Sequence, residues 1–324
     1  MFNDKVILVT GGTGSFGKAF IRRILSEYSP KKLIIFSRDE LKQFELQEEI
    51  AHEKNVRYFL GDIRDKERLM RAFAGVDIIV HTAAMKQVEA SEYNPFEAIK
   101  TNIIGSENII SAAIANKVKD VMVLSTDKAV SPVNLYGATK LCAEKLFLAA
   151  NNYVDTDTPT RFSVVRYGNV VGSRGSVIPF FLKKRESGVL PITDPRMTRF
   201  WITLPQAVEF VINAIADMNG GEVFIPKLPS MNIMDLARAL GPDCKHEIIG
   251  IRPGEKIHEA MIMKDEARDV IEQETRYIIQ PKSRFRTFKQ HAGNTVPDDF
   301  EYSSDQDVEL LTADDLNQML KTLL

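Results

Sequence analysis

The chain has 324 residues, 44% of them hydrophobic and 27% charged, a globular composition that excludes a disordered, collagen-like or low-complexity chain. Lys and Arg number 42 and Asp and Glu 44, a net charge of −2, which argues against a nucleic-acid partner bound by phosphate neutralisation. The cysteines, Cys142 and Cys244, are too few for a disulfide scaffold or a thiolate zinc site and read as free thiols in a reducing cytoplasm.

Met1–Asp4 leads directly into an apolar run, without the basic and cleavage regions of a signal peptide. No apolar run approaches the ~20 residues that cross a bilayer, so no membrane partner is expected and the location reads as cytoplasmic. Val6–Thr10 predicts a buried first strand and Phe16–Ser26 a helix. Between them, Gly11, Gly14 and Gly17 are spaced G-x-x-G-x-x-G, interleaved with Thr13, Ser15 and Phe16. Glycines there allow a tight turn and close approach of a pyrophosphate, and the helix N-terminus offers free N–H groups to it. The placement after strand one predicts a dinucleotide site.

Leu33–Ser37 is the second strand and Glu40–Ala51 the second helix. The strand ends in Ser37-Arg38-Asp39, where an NAD site usually carries a carboxylate. A hydroxyl and a guanidinium suit the 2′-phosphate of NADP, although Asp39 remains able to bind a ribose. Val56–Leu60 is the third strand, followed by Gly61-Asp62-Ile63 and a helix over Lys66–Phe73. Asp62 reads either as a contact to the adenine amino group or as a turn and helix cap. Asp77–Thr82 is the fourth strand; its His81 reads as a buried, hydrogen-bonded histidine, and Lys86 beyond it as a substrate contact or a solvated loop lysine.

Phe96–Ala115 predicts a long helix, Asp120–Ser125 a fifth strand, Leu135–Ala149 a helix and Arg161–Tyr167 a sixth strand. Strands alternating with helices predict an α/β fold: a Rossmann, doubly wound parallel sheet. Tyr136 and Lys140 form Tyr-x-x-x-Lys, which puts both on one helix face. An ammonium beside a phenol favours phenolate, which can take a proton from a sugar hydroxyl as hydride leaves the same carbon. Ser125, at the end of strand five, is placed to align that alcohol.

After Asn169 the rhythm breaks down. Leu204–Met218 predicts a helix and Val223–Pro226 a strand; Ile233–Leu240, His246–Ile249 and Ala313–Leu323 lack a βαβ order, and Ser283–Asp305 reads as a polar loop. The expected division is a dinucleotide-binding domain over 1–168, with 202–226 packing back on it, and a smaller C-terminal substrate lobe over most of 169–324. Scattered histidines show no metal-ligand spacing, so no metal site is expected.

These features together resemble the extended short-chain dehydrogenase/reductase family. Ser125-Thr126-Asp127-Lys128-Ala129 narrows the resemblance. Epimerases of nucleotide sugars usually carry small neutral residues there, and hexose 4,6-dehydratases an acid–base pair. Asp-Lys resembles the inverting UDP-N-acetylglucosamine 4,6-dehydratases, and the likeness extends through Ala84–Val88, Glu92–Pro95, Arg166–Ser176, Arg196–Trp201 and Gly250–Lys256. The soluble branch that it resembles serves pseudaminic acid biosynthesis and flagellin glycosylation.

The resemblance implies NADP as cofactor, held by the glycine turn with Ser37, Arg38, Lys42, Asp62, Ile63, Ala83, Tyr136, Lys140 and Arg174. It implies UDP-N-acetylglucosamine as substrate, met by Lys86, Asn169, Val177, Arg252 and Glu255, and a homo-oligomer, dimer or hexamer. Arg252 and Glu255 taken singly also read as a salt-bridged turn around Pro253-Gly254. In the implied reaction Tyr136, with Lys140 and Ser125, takes the proton of the 4-hydroxyl as C4 is oxidised. Neutral Lys128 then removes the C5 proton, protonated Asp127 assists loss of the 6-hydroxyl as water, and hydride returns to C6. Inversion at C5 would give a UDP-2-acetamido-2,6-dideoxy-β-L-arabino-hexos-4-ulose. A nucleotide-sugar 4-epimerase and a non-catalytic NADP-binding regulator are the alternatives. Asp127-Lys128 argues against the first; intact Ser125, Tyr136 and Lys140 argue against the second.

Overall fold

The apolar runs of the first half become strands whose alternate residues enter two different cores. In β1 (Val6–Thr10), Val6 and Leu8 pack on one face and Ile7 and Val9 on the other, the period of two that a sheet covered on both sides requires. The structure, a computed structural model, describes residues 1–154, 160–173, 175–284, 286–306 and 308–321. After β1 follow α1 (Ser15–Glu27), β2 (Lys32–Ser37), α2 (Glu40–Glu49), β3 (Val56–Leu60), α3 (Lys66–Ala72) and β4 (Ile78–His81). Then come α4 (Val88–Tyr93), α5 (Pro95–Ile99), α6 (Gly105–Ala115), β5 (Asp120–Leu124), α7 (Leu135–Ala150) and β6 (Arg161–Val165).

All six strands are parallel, in the order β6-β5-β4-β1-β2-β3. One face is covered by α3, α6 and α7 through residues such as Leu69, Ile109 and Phe147. The other is covered by α1, α2 and the helix Leu204–Asp217 through Phe20, Leu46 and Val211. This is the doubly wound arrangement that the alternation predicts. Val223–Pro226 pairs parallel with β6 and extends the sheet, while Arg276–Ile279, Val270–Glu272 and Asn294–Thr295 continue it antiparallel to ten strands. The last three lie inside the stretch read from sequence as lobe or loop.

The long helix expected over Phe96–Ala115 is interrupted. A π-helical turn, Lys100–Ile104, joins α5 to α6. The wider turn carries Asn102, whose buried amide accepts from Met85 N–H at 2.8 Å and donates to the Met85 carbonyl at 2.9 Å and to Thr139 Oγ1 at 2.9 Å. One side chain thus fixes the loop after β4 against α7.

The smaller lobe has its own core. Ile178 and Phe181 of the helix Val177–Lys184, Leu190, Trp201, Leu236 and Leu316 pack together. A parallel pair, Val189–Ile192 with Lys245–Ile248, and a three-stranded sheet of Ser230–Asn232, Thr198–Ile202 and Asn169–Val170 frame it. A buried ion cluster ties this half to the first. Arg166, after β6, donates to Glu144 of α7 at 2.8 Å and to Glu266 at 2.9 Å. Among the described residues no helix is long and apolar enough to cross a membrane, and no group of three or more His, Cys, Asp or Glu side chains could hold a metal ion.

Candidate active site

One cleft of about 1310 Å³ runs over the carboxyl ends of the parallel strands, where open α/β sheets bind ligands. Its lining joins the glycine turn at one end to the smaller lobe at the other.

At the first end, Gly11 has φ +66°, and a Cβ there would lie 2.7 Å from Thr82 Oγ1. A Cβ on Gly17 would lie 2.6 Å from the Gly12 Cα, so the helix packs on the turn only with glycine. The N-cap of α1 is Gly14, with no side-chain cap and no acidic residue in the first turn. The helix start therefore keeps its orphan N–H groups for an anion, beside Thr13, Ser15 and Phe16. Ser37, Arg38, Lys42, Asp62, Ile63 and Ala83 line the same end.

Two carboxylates there are already engaged. Asp39 caps α2 by accepting from Lys42 N–H at 3.0 Å and pairs with Lys42 Nζ at 2.5 Å. Asp62 accepts from Arg64 N–H at 2.9 Å and pairs with the Arg64 guanidinium at 2.7 Å, with Arg38 3.6 Å away. These bonds place Asp62 in a turn, and it also lines the cleft. Arg38 is largely exposed at the cleft, with a guanidinium available to a phosphate.

In the middle of the cleft, Asn134 caps α7 by accepting from Gly137 N–H at 2.8 Å and donates to the Gly254 carbonyl at 2.7 Å. That presents Tyr136 from the first turn of α7, with Lys140 one turn on. Lys140 donates to the Leu124 carbonyl at 2.7 Å, and burial pulls its ammonium down to about 8 despite Glu144. Lys128 is among the charges that act on the Tyr136 phenol. Burial pushes the phenol up to about 12, opposed by Lys128 and by a hydrogen bond with Thr126, and reinforced by Asp127 and Glu259. Ser125 Oγ is buried in the cleft wall with no hydrogen-bond partner among the described residues.

Thr126 begins a chain of polar contacts. Its hydroxyl donates to Asp127 Oδ1 at 2.7 Å. Lys128 Nζ then donates to Asp127 Oδ1 at 3.1 Å and to Asn169 Oδ1 at 3.2 Å, and stands 3.4 Å from Glu259 Oε1. Burial works against the Lys128 ammonium, but Asp127 and Glu259 outweigh it and hold the group above the usual lysine range. At rest these neighbours favour the Lys128 ammonium. Asp127 is fully buried with Oδ2 unpartnered among the described residues. Ser125 lines the cleft, so its orphan hydroxyl is placed for a polar ligand there.

At the second end, Arg252 and Glu255 line the cleft and close a turn on each other, Arg252 N–H to Glu255 Oε2 at 3.3 Å. Arg252 also pairs with Glu89 at 3.3 Å. Lys86, its ammonium pulled down by burial, and Val177 line the cleft as well. Arg174 lies outside the described residues. His81 is buried with its Nδ1 2.8 Å from Thr10 Oγ1, the structural histidine expected.

Sequence reasoning passed over Thr126, Glu259, Arg199 and Lys256. Arg199 and Lys256 stand 3.9 and 3.8 Å from Glu259 and complete the polar wall. Thr126 was signalled by its place beside Asp127, and Glu259 by nothing in the sequence; neither has a spacing rule of its own.

Compared with known proteins, residues 7–281 match the family described as polysaccharide biosynthesis protein. A UDP-N-acetylglucosamine 4,6-dehydratase (inverting) from Campylobacter jejuni is 56% identical over 94% of each chain. A UDP-glucose 4-epimerase from Rickettsia conorii is 44% identical over 82% of this chain and 80% of its own. Among solved structures, Pen from Bacillus thuringiensis is 40% identical and superposes over 99% of both chains with a TM-score of 0.90.

Proposed function

The chain belongs to the polysaccharide-biosynthesis group of the extended short-chain dehydrogenase/reductase family, and from that premise we propose that it is an NADP-dependent, inverting UDP-N-acetylglucosamine 4,6-dehydratase, a hydro-lyase. The observation that carries the reading is the Asp127–Lys128 pair, a buried acid 3.1 Å from a half-buried amine that lines the same cleft as Tyr136. An oxidation site and an elimination site share the same wall.

The uncapped start of α1 suits the pyrophosphate and Arg38 the 2′-phosphate; the engagement of Asp39 by Lys42 supports NADP over NAD. Bound there, NADP supplies the hydride acceptor for C4 and the donor for C6. Tyr136, in its phenolate form, takes the proton of the 4-hydroxyl. Lys140, anchored on the Leu124 carbonyl, holds a cofactor ribose beside it. The 4-ketone acidifies C5–H, which Lys128 removes once it has passed its own proton to Asp127, 3.1 Å away. Asp127, now protonated, gives its proton to the departing 6-hydroxyl, and water leaves. C6 receives hydride, Tyr136 releases its proton, and a solvent-derived proton added to C5 from the face opposite Lys128 inverts that centre.

Arg252, Glu255, Lys86, Asn169 and Val177 are the residues proposed to hold the nucleotide sugar, and Ser125 to align it. The resemblance extends the reading to a cytoplasmic homo-oligomer serving pseudaminic acid biosynthesis. The test is NMR of UDP-N-acetylglucosamine with purified protein in D2O. Dehydration with deuterium and inversion at C5 is expected. A 4-epimer without C5 exchange supports the activity named for the Rickettsia relative instead, and no turnover of the sugar overturns the reading.

A further inference from the structure

The residues proposed to hold the nucleotide and the residue proposed to start the reaction meet at one side chain. Arg252–Glu255 is a turn closed on itself: Glu255 N–H donates to the Arg252 carbonyl at 3.1 Å, and Arg252 N–H to Glu255 Oε2 at 3.3 Å. Inside that turn the Gly254 carbonyl accepts from Asn134 Nδ2 at 2.7 Å. The other end of the same amide, Oδ1, accepts from Gly137 N–H at 2.8 Å and caps α7, whose second residue is Tyr136. Resting on the dehydratase reading, we propose that Asn134 is a positioning residue that couples the nucleotide-holding turn to Tyr136, so that seating the nucleotide fixes the start of the catalytic helix.

The residue type is what the double contact demands. Asp and Ser cap a helix about as well as Asn, and Thr nearly so. A carboxylate cannot donate to the Gly254 carbonyl, and a hydroxyl has one oxygen to serve two partners. An amide has separate acceptor and donor ends, and only one of its two orientations satisfies both neighbours. The turn is seated directly on this residue: Gly254 has φ +79°, and a Cβ there would lie 2.9 Å from Asn134 Cβ. Among the described residues the other polar tie from this turn to the first half is Arg252 with Glu89, at 3.3 Å, and Glu89 is 81% exposed. An exposed pair of that kind contributes little, which leaves the part-buried amide to carry the connection.

Beyond Asn134 the contacts are close enough to pass a shift on. Leu135 N–H donates to Glu92 Oε1 of α4 at 2.6 Å. Gly137 lies so near the Lys128 carbonyl oxygen that a Cβ would stand 2.0 Å from it. A movement of the Arg252–Glu255 turn therefore reaches Tyr136 and the backbone of the Asp127–Ala129 turn through one amide. The coupling is reciprocal: whatever nucleotide binding does to the helix start, the helix start does to nucleotide affinity.

Asn134→Asp keeps the cap and removes the donor, and UDP is the probe. The variant should melt within a few degrees of the parent and bind UDP about tenfold more weakly by titration calorimetry. Amide hydrogen exchange supplies the readout that a simple helix cap would not move. UDP should slow exchange at Tyr136–Ala138 severalfold in the parent and leave it unchanged in Asn134→Asp. Parent-like UDP affinity in the variant, slowing that persists in it, or no slowing in the parent overturns the proposal. If Asn134→Asp lacks a cooperative melt, Asn134→Ser decides: it also caps without reaching Gly254, so the same losses are expected and parent-like behaviour refutes the coupling. A parent that does not bind UDP, or an Arg252→Ala variant that binds UDP as well as the parent, defeats the nucleotide placement of the dehydratase reading instead.

Discussion

Gly137→Ala tests whether the two halves of the catalytic wall are held in contact by steric fit. Gly137 is the third residue of α7, directly after Tyr136. A Cβ there would sit 2.0 Å from the Lys128 carbonyl oxygen and 3.0 Å from Pro132 Cβ. A carbon–oxygen contact relaxes only beyond about 3.3 Å, so the helix start and the Asp127–Ala129 turn must part by roughly 1.3 Å. The opposing atom is backbone, so no side-chain rotation relieves it. Overpacking of this kind costs about 1–3 kcal/mol, against which alanine regains up to ~1 kcal/mol of helix propensity. Net destabilisation of ~0–2 kcal/mol lowers Tm by only a few degrees. Activity responds more steeply, because a displacement of about 1 Å between reacting groups costs ~10²-fold. The variant should therefore melt cooperatively near the parent and lose dehydration by ~10²-fold, measured by NMR progress curves beside thermal denaturation. Retention of the rate within about threefold would refute the argument that Tyr136 and the Asp127–Lys128 turn must touch. A comparable fall for loss of fold alone would show as a collapsed melt.

Arg38→Ala should weaken NADP by roughly tenfold or more and NAD far less, since a charge-assisted contact is worth about 1.5–3 kcal/mol; equal effects by cofactor titration would assign Arg38 to structure. Lys128→Ala should reduce dehydration by ~10²–10⁴-fold while leaving C4 hydride transfer detectable, whereas Tyr136→Phe should suppress both; intact C5 deuteration in the Lys128 variant would show that another base operates. His81 gives a pH prediction. Burial, with Lys140 nearby, brings its pKa down to about 3 in the fold, so the unfolded chain binds the extra proton and stability falls as pH drops below about 6.5. Between pH 7 and 5 this amounts to about 2 kcal/mol, and His81→Gln should flatten that part of the urea-denaturation profile. An unchanged pH dependence would mean that His81 is not the group responsible.

The parallel half of the sheet was legible because its inner strands are buried on both faces and leave apolar runs, whereas the edge strand β3 is partly exposed. The glycine turn and Tyr136 with Lys140 were legible because their spacing is itself the geometry. The strands Val270–Glu272 and Arg276–Ile279 were not, being a short antiparallel hairpin with no crossover helix to mark it. The π turn at Lys100–Ile104 leaves no periodic signature, since the helical pattern runs on through it. Within the site, Asp127 and Lys128 could be found as neighbours in sequence, but their charge state could not. That depends on Glu259, brought from the smaller lobe, and on Asn169, whose amide accepts from Lys128. A contact between distant segments has no local spacing to betray it, and a lysine's protonation depends on such contacts.

The Arg166 cluster restricts how this protein can be recombined with its relatives. Arg166 is buried, with Glu144 on the catalytic helix and Glu266 in the later segment, and it also donates to the Met261 carbonyl at 3.1 Å. A chimera that kept residues 1–168 but imported a C-terminal portion lacking an acid at the place of Glu266 would strand half of a guanidinium's partners in the core. Breaking a buried pair in this way costs about 3–5 kcal/mol, a large share of a typical domain's stability. The C-terminal portion is therefore not an exchangeable cassette. Altered sugar preference is more readily sought in short replacements along the rim, at Val177 or Thr193, which line the cleft without joining the ion cluster.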